Sequence, residues 1–323
     1  MLRYILQRFL YMIPMMVLIS IICFAVIKLQ PGDFGSQYFN NPRVSPEMVQ
    51  QLRERLGLND PAYIQYLKWA KGIVTRGDFG YSFAYKRPVS DLIWERMGWT
   101  VVVATLTIVF SWLVAIPIGI YSATHKYSIM DYLLTFLGFI GLSIPNFFLA
   151  LVLMYAVLKA GGTSVGGLFS QNFIETPWSW AKFVDMLNHL WIPVISIGLS
   201  GTAGLLRQMR GNLLDVLGAQ YVVTARAKGL KESIVIYKHA VRNAINPLIS
   251  IFGMQLPEVI SGTIISAIVL NLPTIGPFFY DALITQDQYL VMTFLMLSAF
   301  MMLIGNLLAD IMLAWADPRI RYQ

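Results

Sequence analysis

The sequence predicts an all-α membrane protein with six transmembrane helices. A small, mostly helical extracytoplasmic cap is expected between the first and second spans. Three observations carry this prediction. Of 323 residues, 57% are hydrophobic and only 13% charged, whereas soluble domains carry about 25% charged residues; the mean hydropathy is +0.62. Apolar runs long enough to cross a bilayer recur along the chain between polar segments. Every short connection expected inside carries Lys or Arg, and the last outer one, 271–288, carries neither. The positive-inside rule then places both termini in the cytoplasm.

Composition also excludes several functions. The net charge of +7 is spread between apolar segments and forms no stripe on a soluble domain, so membrane orientation explains it and nucleic acid is not expected as a partner. A single cysteine, Cys23, rules out a disulfide framework or a cysteine metal cluster, and His125, His189 and His239 lie far apart without an HExxH pair. No metal site and no catalytic residue is expected. No Gly-Lys dipeptide occurs, so a Walker phosphate loop is absent and the chain cannot hydrolyse ATP by that route.

The elements follow in order. Arg3 and Arg8 precede Phe9–Ile27, nineteen residues without a charge, longer than the core of a secretory signal and read as an uncleaved first span. Residues 30–96 are a polar excursion with nine Lys/Arg and seven Asp/Glu. In it, Ser45-Pro46 starts a helix ending near Gly57, Asp60-Pro61 starts another ending near Gly72, and Gly77-Asp78-Phe79-Gly80 makes a turn. This cap either covers the bundle or meets a soluble partner. The second span lies within Trp99–Ala123, His125-Lys126 marks an inner turn, and Tyr132–Leu158 returns outward with Pro145-Asn146 inside it.

An outer loop, 161–188, bears Trp178 and Trp180 as interfacial aromatics. The fourth span, His189 to about Leu206, carries Gly198, Gly201 and Gly204, a stripe that favours close helix packing over ligand binding. A fifth span covers Ile245 to Leu270, the outer connection 271–288 carries Asp281 and Asp287, and a last span covers Tyr289 to Ala314. The domains are thus 1–29, the first span; 30–96, the cap; 97–315, the remaining five-helix transmembrane domain; and 316–323, a cytoplasmic tail.

Within this frame the stretch 207–247 stands out. Seven Lys/Arg (Arg207, Arg210, Arg226, Lys228, Lys231, Lys238, Arg242) face two carboxylates, Asp215 and Glu232. Asn212 to Lys228 reads as one helix, Gly229 as its left-handed cap, and Tyr237, Val241, Ala244 and Leu248 recur at helical spacing around Pro247. Two helices with a glycine hinge on the inner face form a docking surface. Glu258, after Pro257, is an acid inside the fifth span, where a charge costs about 2.5–3.5 kcal/mol on insertion scales. It either faces a water-filled path and meets a cationic group, or is a neutralised structural acid at a helix break.

Thr224-Ala225-Arg226-Ala227-Lys228-Gly229-Leu230, then His239-Ala240, Arg242-Asn243-Ala244 and Pro247, resembles the cytoplasmic loop of binding-protein-dependent ABC importer permeases of the dipeptide/oligopeptide/nickel branch. Leu56-Gly57-Leu58, Asp60-Pro61, Gln65-Tyr66, Trp69 and Gly77–Ser82 are similar to the segment after the first span of the B-type permease. Leu142-Ser143-Ile144-Pro145-Asn146-Phe147 and Asp317-Pro318-Arg319-Ile320-Arg321 match further motifs. The resemblance covers nearly the whole chain.

It implies a type I ABC importer permease fold and a permease subunit forming half of a path for short peptides. The implied partners are a homologous second permease, two cytoplasmic ATPases that hold the ATP and Mg, an extracytoplasmic binding protein and the lipid membrane of a bacterial or archaeal cell. It implies no cofactor on this chain. Thr224, Ala225, Arg226, Ala227, Lys228, Gly229, Leu230, His239, Arg242, Asn243 and Pro247 become ATPase-coupling residues. Ala225 and Ala227 would allow close approach, Leu230 would anchor, and Arg226 and Lys228 would pair with acidic partner groups. Glu258, Asn146 and Ser143 are the candidates for the substrate path.

Pro257-Glu258, Asn271–Gly276 and Leu29–Asp33 depart from the peptide-permease pattern, which keeps oligosaccharides, nickel or another small solute open as cargo. Lys231 stands where the family often has a Ser-like helix cap, so the second loop helix is expected to start less sharply. Readings of a different class are a non-transporting scaffold and an intramembrane hydrolase using Ser261 with His189 or His239. The scaffold leaves the spacing in the basic loop unexplained. Neither histidine is an obvious partner for Ser261 at depth, since His239 lies in the basic loop and His189 near an outer interface.

Overall fold

The computed structural model describes residues 2–29, 50, 59–82, 84–162 and 165–316. The expected helix from Ser45-Pro46 to Gly57 and the tail from Asp317 lie outside these residues. The regular structure of the described residues is helical apart from one two-stranded hairpin.

In order, α1 is Leu2–Leu29, α2 Ala62–Arg76, β1 Tyr81–Ser82, β2 Arg87–Pro88, α3 Val89–Thr124, α4 Ile129–Ser143, α5 Asn146–Lys159, α6 Trp180–Leu217 and α7 Gln220–Ala227. A helical run over 232–244 follows, then α8 Asn246–Gly262, α9 Ile264–Val269, α10 Ile275–Ile284 and α11 Gln288–Ala316. The chain divides into two compact units. One holds the described residues of Met1–Ile5, Val101–Pro273 and Met302–Gln323, the other those of Leu6–Thr100 and Thr274–Met301.

Among the described residues, four helices are long and apolar enough to cross a membrane: α1 over Leu6–Leu29, α3, α6 and α11. The pair α4–α5 makes a fifth if counted as one span, but it is bent by 102°. The expected return over Tyr132–Leu158 is thus sharply bent at the Pro145-Asn146 that the sequence places inside it. The cause is Pro145: it forces Ile144 out of the helical region to φ −88°, ψ 122°, and the Pro145 carbonyl restarts a helix by accepting from the Phe148 and Leu149 amides at 2.9 and 3.0 Å.

The expected fifth span is also divided, into α8 and α9, at Thr263, whose φ is −110° and ψ 10°. The Thr263 hydroxyl donates to the Val259 carbonyl one turn back. With 17 residues, α8 alone is about 25 Å long at 1.5 Å per residue, short of a full crossing. Among the described residues, helices cover each of the expected apolar segments, and four of them, or five with the bent pair, are long and apolar enough to count as spans.

In the first unit α6 is the central helix. It begins nine residues before the expected His189, because Ser179 caps it: the side-chain oxygen accepts from the Lys182 amide at 3.2 Å. The Lys182 ammonium donates to the Thr176 carbonyl at 2.7 Å and lies over the rings of Phe169 and Trp178, tying the preceding loop to this end. Further along, Leu205, Leu206, Met209 and Leu213 bury one face with Ala115, Ile120 and Leu248. Gly198 allows a close approach to α3, since a Cβ there would stand 2.7 Å from the Phe110 ring, and the Ser111 hydroxyl donates to the Gly198 carbonyl at 2.8 Å. Gly201 also faces Ser111, but Gly204 has nothing within 4 Å. The packing role of the small-residue stripe holds for two of its three glycines.

In the second unit α1 meets α2 through Phe24, whose ring centroid is 5.5 Å from that of Tyr66, and through Ser20, 2.8 Å from the Tyr66 hydroxyl. The helix expected to stop near Gly72 continues for another turn to Gly77, which adopts φ 64° and closes it by donating to the Ile73 carbonyl. The hairpin that follows was not anticipated. Asp287, fully buried, holds it by accepting from the Ser82 hydroxyl at 2.6 Å and the Ala84 amide at 3.2 Å. The Tyr85 hydroxyl donates to Asp281 at 2.8 Å. Burial first, and the Asp281 carboxylate second, push the Tyr85 phenol well above its ordinary value. The two acids expected on an outer loop are thus structural ties, and that loop contains α10.

Candidate functional site

Two features concentrate polar chemistry, both in the first unit. The first is the basic loop. The single helix expected over Asn212–Lys228 is in fact two, because α6 ends at Leu217 with Gly218 and the chain turns at Ala219, φ −70°, ψ 144°, before α7 begins. Helix α7 lies down on the unit through Val222 and Ala225, both buried, and leaves Tyr221, Val223, Thr224, Arg226, Ala227 and Lys228 outside. Gly229 has φ 74°. Its amide donates to the Arg226 carbonyl at 2.9 Å and the Leu230 amide to Ala225 at 3.4 Å, a left-handed helix stop that a side chain would strain.

Lys231 then caps the next helix with its carbonyl alone, accepting from the Ile234 and Val235 amides at 2.8 and 3.1 Å without any side-chain cap. Glu232 in that first turn suits the positive end of the helix. Its carboxylate also grips Arg226, at 2.6 and 3.1 Å. This hydrogen-bonded guanidinium lowers the Glu232 carboxyl from its ordinary value and raises that of Arg226.

From Val235 to Val241 the run is a π-helix. The buried face therefore advances by five residues, Val235 to Ala240, and then by four to Ala244 and Leu248. The expected stripe through Tyr237 and Val241 is corrected for this reason: Tyr237 is exposed and Val241 half-buried, while Ala244 and Leu248 are buried as expected. Asn243 donates to the Tyr221 hydroxyl at 3.0 Å and the His239 carbonyl at 3.1 Å, and Arg242 to the Ala316 carbonyl at 3.1 Å. These bonds splint the loop, so that it presents Leu230, Ile234 and Tyr237 outward on a fixed frame.

The second feature is an open pocket of about 160 Å³. Its polar lining comes from Thr107 and Ser111 on α3, Asn146 at the start of α5, Ser200 on α6, Gln255 and Glu258 on α8, and Thr263. Gln255 is oriented by the Trp112 indole, which donates to its carbonyl oxygen at 2.7 Å. The Thr107 hydroxyl is buried with no hydrogen-bond partner. Glu258 is exposed and makes no ion pair or hydrogen bond among the described residues.

Of the path candidates, the structure brings Glu258 and Asn146 together; Ser143 does not line the pocket and instead donates to the Phe139 carbonyl at 2.8 Å. Among the loop residues, Thr224, Arg226, Ala227, Lys228, Gly229, Leu230, Arg242, Asn243 and Pro247 lie outside, His239 is half-buried, and Ala225 faces inward. The hydroxyls of Thr107, Ser111 and Ser200 escaped sequence reasoning, because Ser and Thr in an apolar helix carry no directional signal. Glu232 as the internal partner of Arg226 was legible in principle, as an acid six residues beyond an arginine across a glycine turn.

These features define a polytopic membrane permease: apolar helices, a polar pocket among them, and an exposed loop built on the same helices. Comparison with known proteins agrees. A family model described as binding-protein-dependent transport system inner membrane component matches residues 115–322, and its N-terminal companion matches residues 1–104. The chain belongs to this family of ABC transporter permeases, integral membrane subunits that are not themselves enzymes.

It is 39% identical to the oligopeptide transport system permease protein AppB of Bacillus subtilis, over 99% of each chain. It is 30% identical to the dipeptide transport system permease protein DppB of Alkalihalophilus pseudofirmus, over 100% of each chain. With the DppB protein of Escherichia coli K12 it shares 32% identity over 100% of each.

Proposed function

We propose that this chain is one of two permease halves of an ATP-driven importer for short peptides. The observation that carries the reading is that loop and pocket hang on the same two helices. Ser200 and Gly201 lie on α6, which runs without a break into Gly218 and the loop, and Gln255 and Glu258 lie on α8, which the loop enters at Asn246. Glu258 is twelve residues from Asn246, about 18 Å along the helix at 1.5 Å per residue. A push on the loop therefore has a rigid route to the pocket. Alternating access needs this: two packings of the bundle whose balance an outside event shifts.

In this reading the loop sits in the cytoplasm and docks on one of two ATPase subunits, which hold the ATP and Mg, while a homologous permease completes the path. A binding protein delivers cargo from the extracytoplasmic side, and both termini are cytoplasmic. Leu230, Ile234 and Tyr237 supply apolar contact, and Lys228 supplies charge. Arg226, held by Glu232, acts inside the loop. The relatives named above carry oligopeptide or dipeptide in their names, which favours peptides over oligosaccharides.

The test is mild-detergent purification of the chain from its native membrane, followed by reconstitution. Recovery of a second permease and Walker-containing ATPases, with ATP-dependent uptake of short peptides into proteoliposomes, is the expected result. A chain that emerges folded but alone would overturn it, and uptake of oligosaccharides in place of peptides would overturn the cargo.

A further inference from the structure

We propose that the pocket between α3, α5, α6 and α8 is a binding site for a primary ammonium group, with Glu258 as its counter-ion. The inference rests on the peptide reading above only for the source of the ammonium, the amino terminus or a lysine side chain of the cargo. Four observations support the site. Glu258 is the sole charged residue in the lining, and no Lys, Arg or His accompanies it. It stands exposed on a helix whose mean composition is apolar, so its face meets a polar occupant or water rather than hydrocarbon. The Thr107 hydroxyl in the same lining is buried and unpartnered, an arrangement proteins avoid unless a guest or water satisfies it. Asn146 and Ser200 add acceptor oxygens.

This donor set discriminates between cations. A divalent metal needs several carboxylates or histidines, and no group of three or more His, Cys, Asp or Glu occurs among the described residues. A guanidinium would also pair with a single carboxylate, but in a fixed planar fork, whereas an ammonium is a compact charge whose three rotatable donors can be shared among the carboxylate and the separate hydroxyl and amide oxygens. One carboxylate with hydroxyl and amide oxygens around it matches the ammonium. A volume of about 160 Å³ suits a head group. The remainder of a peptide would extend through the open mouth.

The experiment uses the complete transporter in lipid nanodiscs. Dicyclohexylcarbodiimide, an apolar reagent, converts membrane carboxyls to N-acylureas, and peptide mass spectrometry reads the adduct at Glu258. Saturating n-butylammonium is expected to cut that adduct about tenfold by mass action, while n-butanol and tetrabutylammonium leave it unchanged. Equal labelling with and without the amine overturns the site. The reagent reads only the protonated fraction of the carboxyl, so where no adduct forms at all the peptide comparison below decides.

A second arm compares transport of a peptide with that of its N-acetylated twin, each at saturating binding protein. Glu258→Gln is expected to slow the free-amine peptide about tenfold, equivalent to about 1.4 kcal/mol, and to spare the acetylated one. Equal slowing of both would make Glu258 structural and overturn the assignment. If the amine protects Glu258 but the wild-type transporter moves neither peptide, the ammonium site stands and the peptide reading fails.

Discussion

Asp131 and Arg210 form a two-point ion pair: Arg210 donates to the two carboxylate oxygens of Asp131 at 2.8 and 3.0 Å. The Ser122 hydroxyl donates to the same carboxylate, so α3, α4 and α6 meet at one group. Asp131 has 2% of its side chain exposed and Arg210 26%. Breaking a buried pair by removing one partner costs about 3–5 kcal/mol, because the remaining charge is left unpaired; the partial exposure of Arg210 puts this case near the lower end. Asp131→Ala is expected to destabilise the detergent-solubilised chain by about 3 kcal/mol, read as a lower unfolding midpoint, and Arg210→Lys by less. An unchanged midpoint in both would show the pair to be dispensable.

Gly229 sits at φ 74° with open space around it. Gly229→Ala therefore costs only the left-handed backbone, about 1 kcal/mol, and is expected to transport near normally. Proline cannot reach a positive φ and lacks the amide that donates to Arg226. Gly229→Pro is expected to insert at wild-type level and to lose coupling between ATP hydrolysis and uptake. Normal uptake by the proline variant would remove the loop from the coupling mechanism.

Gly253 on α8 and Gly305 on α11 bring two backbones into contact. A Cβ on Gly253 would stand 2.7 Å from the Asn306 Cα, and one on Gly305 2.6 Å from the Gly253 carbonyl oxygen. Gly253→Val and Gly305→Ala are expected to abolish the monodisperse peak in size-exclusion chromatography, since backbone cannot yield as a side chain can. Gly204→Ala, where nothing lies within 4 Å, is the matched control and is expected to behave as wild type.

The Arg226–Glu232 pair gives a pH dependence with a definite sign. The folded Glu232 carboxyl lies below its ordinary value, so the stabilisation is complete above the unfolded value and is lost as pH falls through the folded one. Amide exchange over Thr224–Glu232 is expected to be pH-independent in relative protection from neutral down to about pH 4.3 and to lose protection below it. Salt weakens the effect, because both groups face water. Glu232→Gln should reproduce the low-pH behaviour at neutral pH.

The helical membrane class, the order of apolar segments, the hinge at Gly229 and the oddity of Glu258 were legible from residues alone. Each rests on a local rule: apolar length against bilayer thickness, positive φ favouring glycine, and the cost of a charge in hydrocarbon. Pro145 was legible as a possible kink, but its bend of 102° was not, because many prolines leave a helix continuous, as Pro117 and Pro193 do here. The break at Gly218 was hidden by a sequence free of proline across it.

What the sequence determined, then, is everything set by neighbours along the chain: which stretches are apolar, where charge gathers, which residue can turn left-handed. Tertiary structure alone decided that Glu258 shares a pocket with Thr107 and Asn146, that Ser143 is excluded from it, and that Asp131 meets Arg210. Those pairings join residues on different helices, separated by tens of positions or more. Their distances depend on how the helices pack, through small-residue approaches such as Gly198 against Phe110 and through the π-turn that re-aims the face after Val235. No local pattern encodes that register, because it is the packed bundle as a whole that minimises unfilled space and unpaired polar groups.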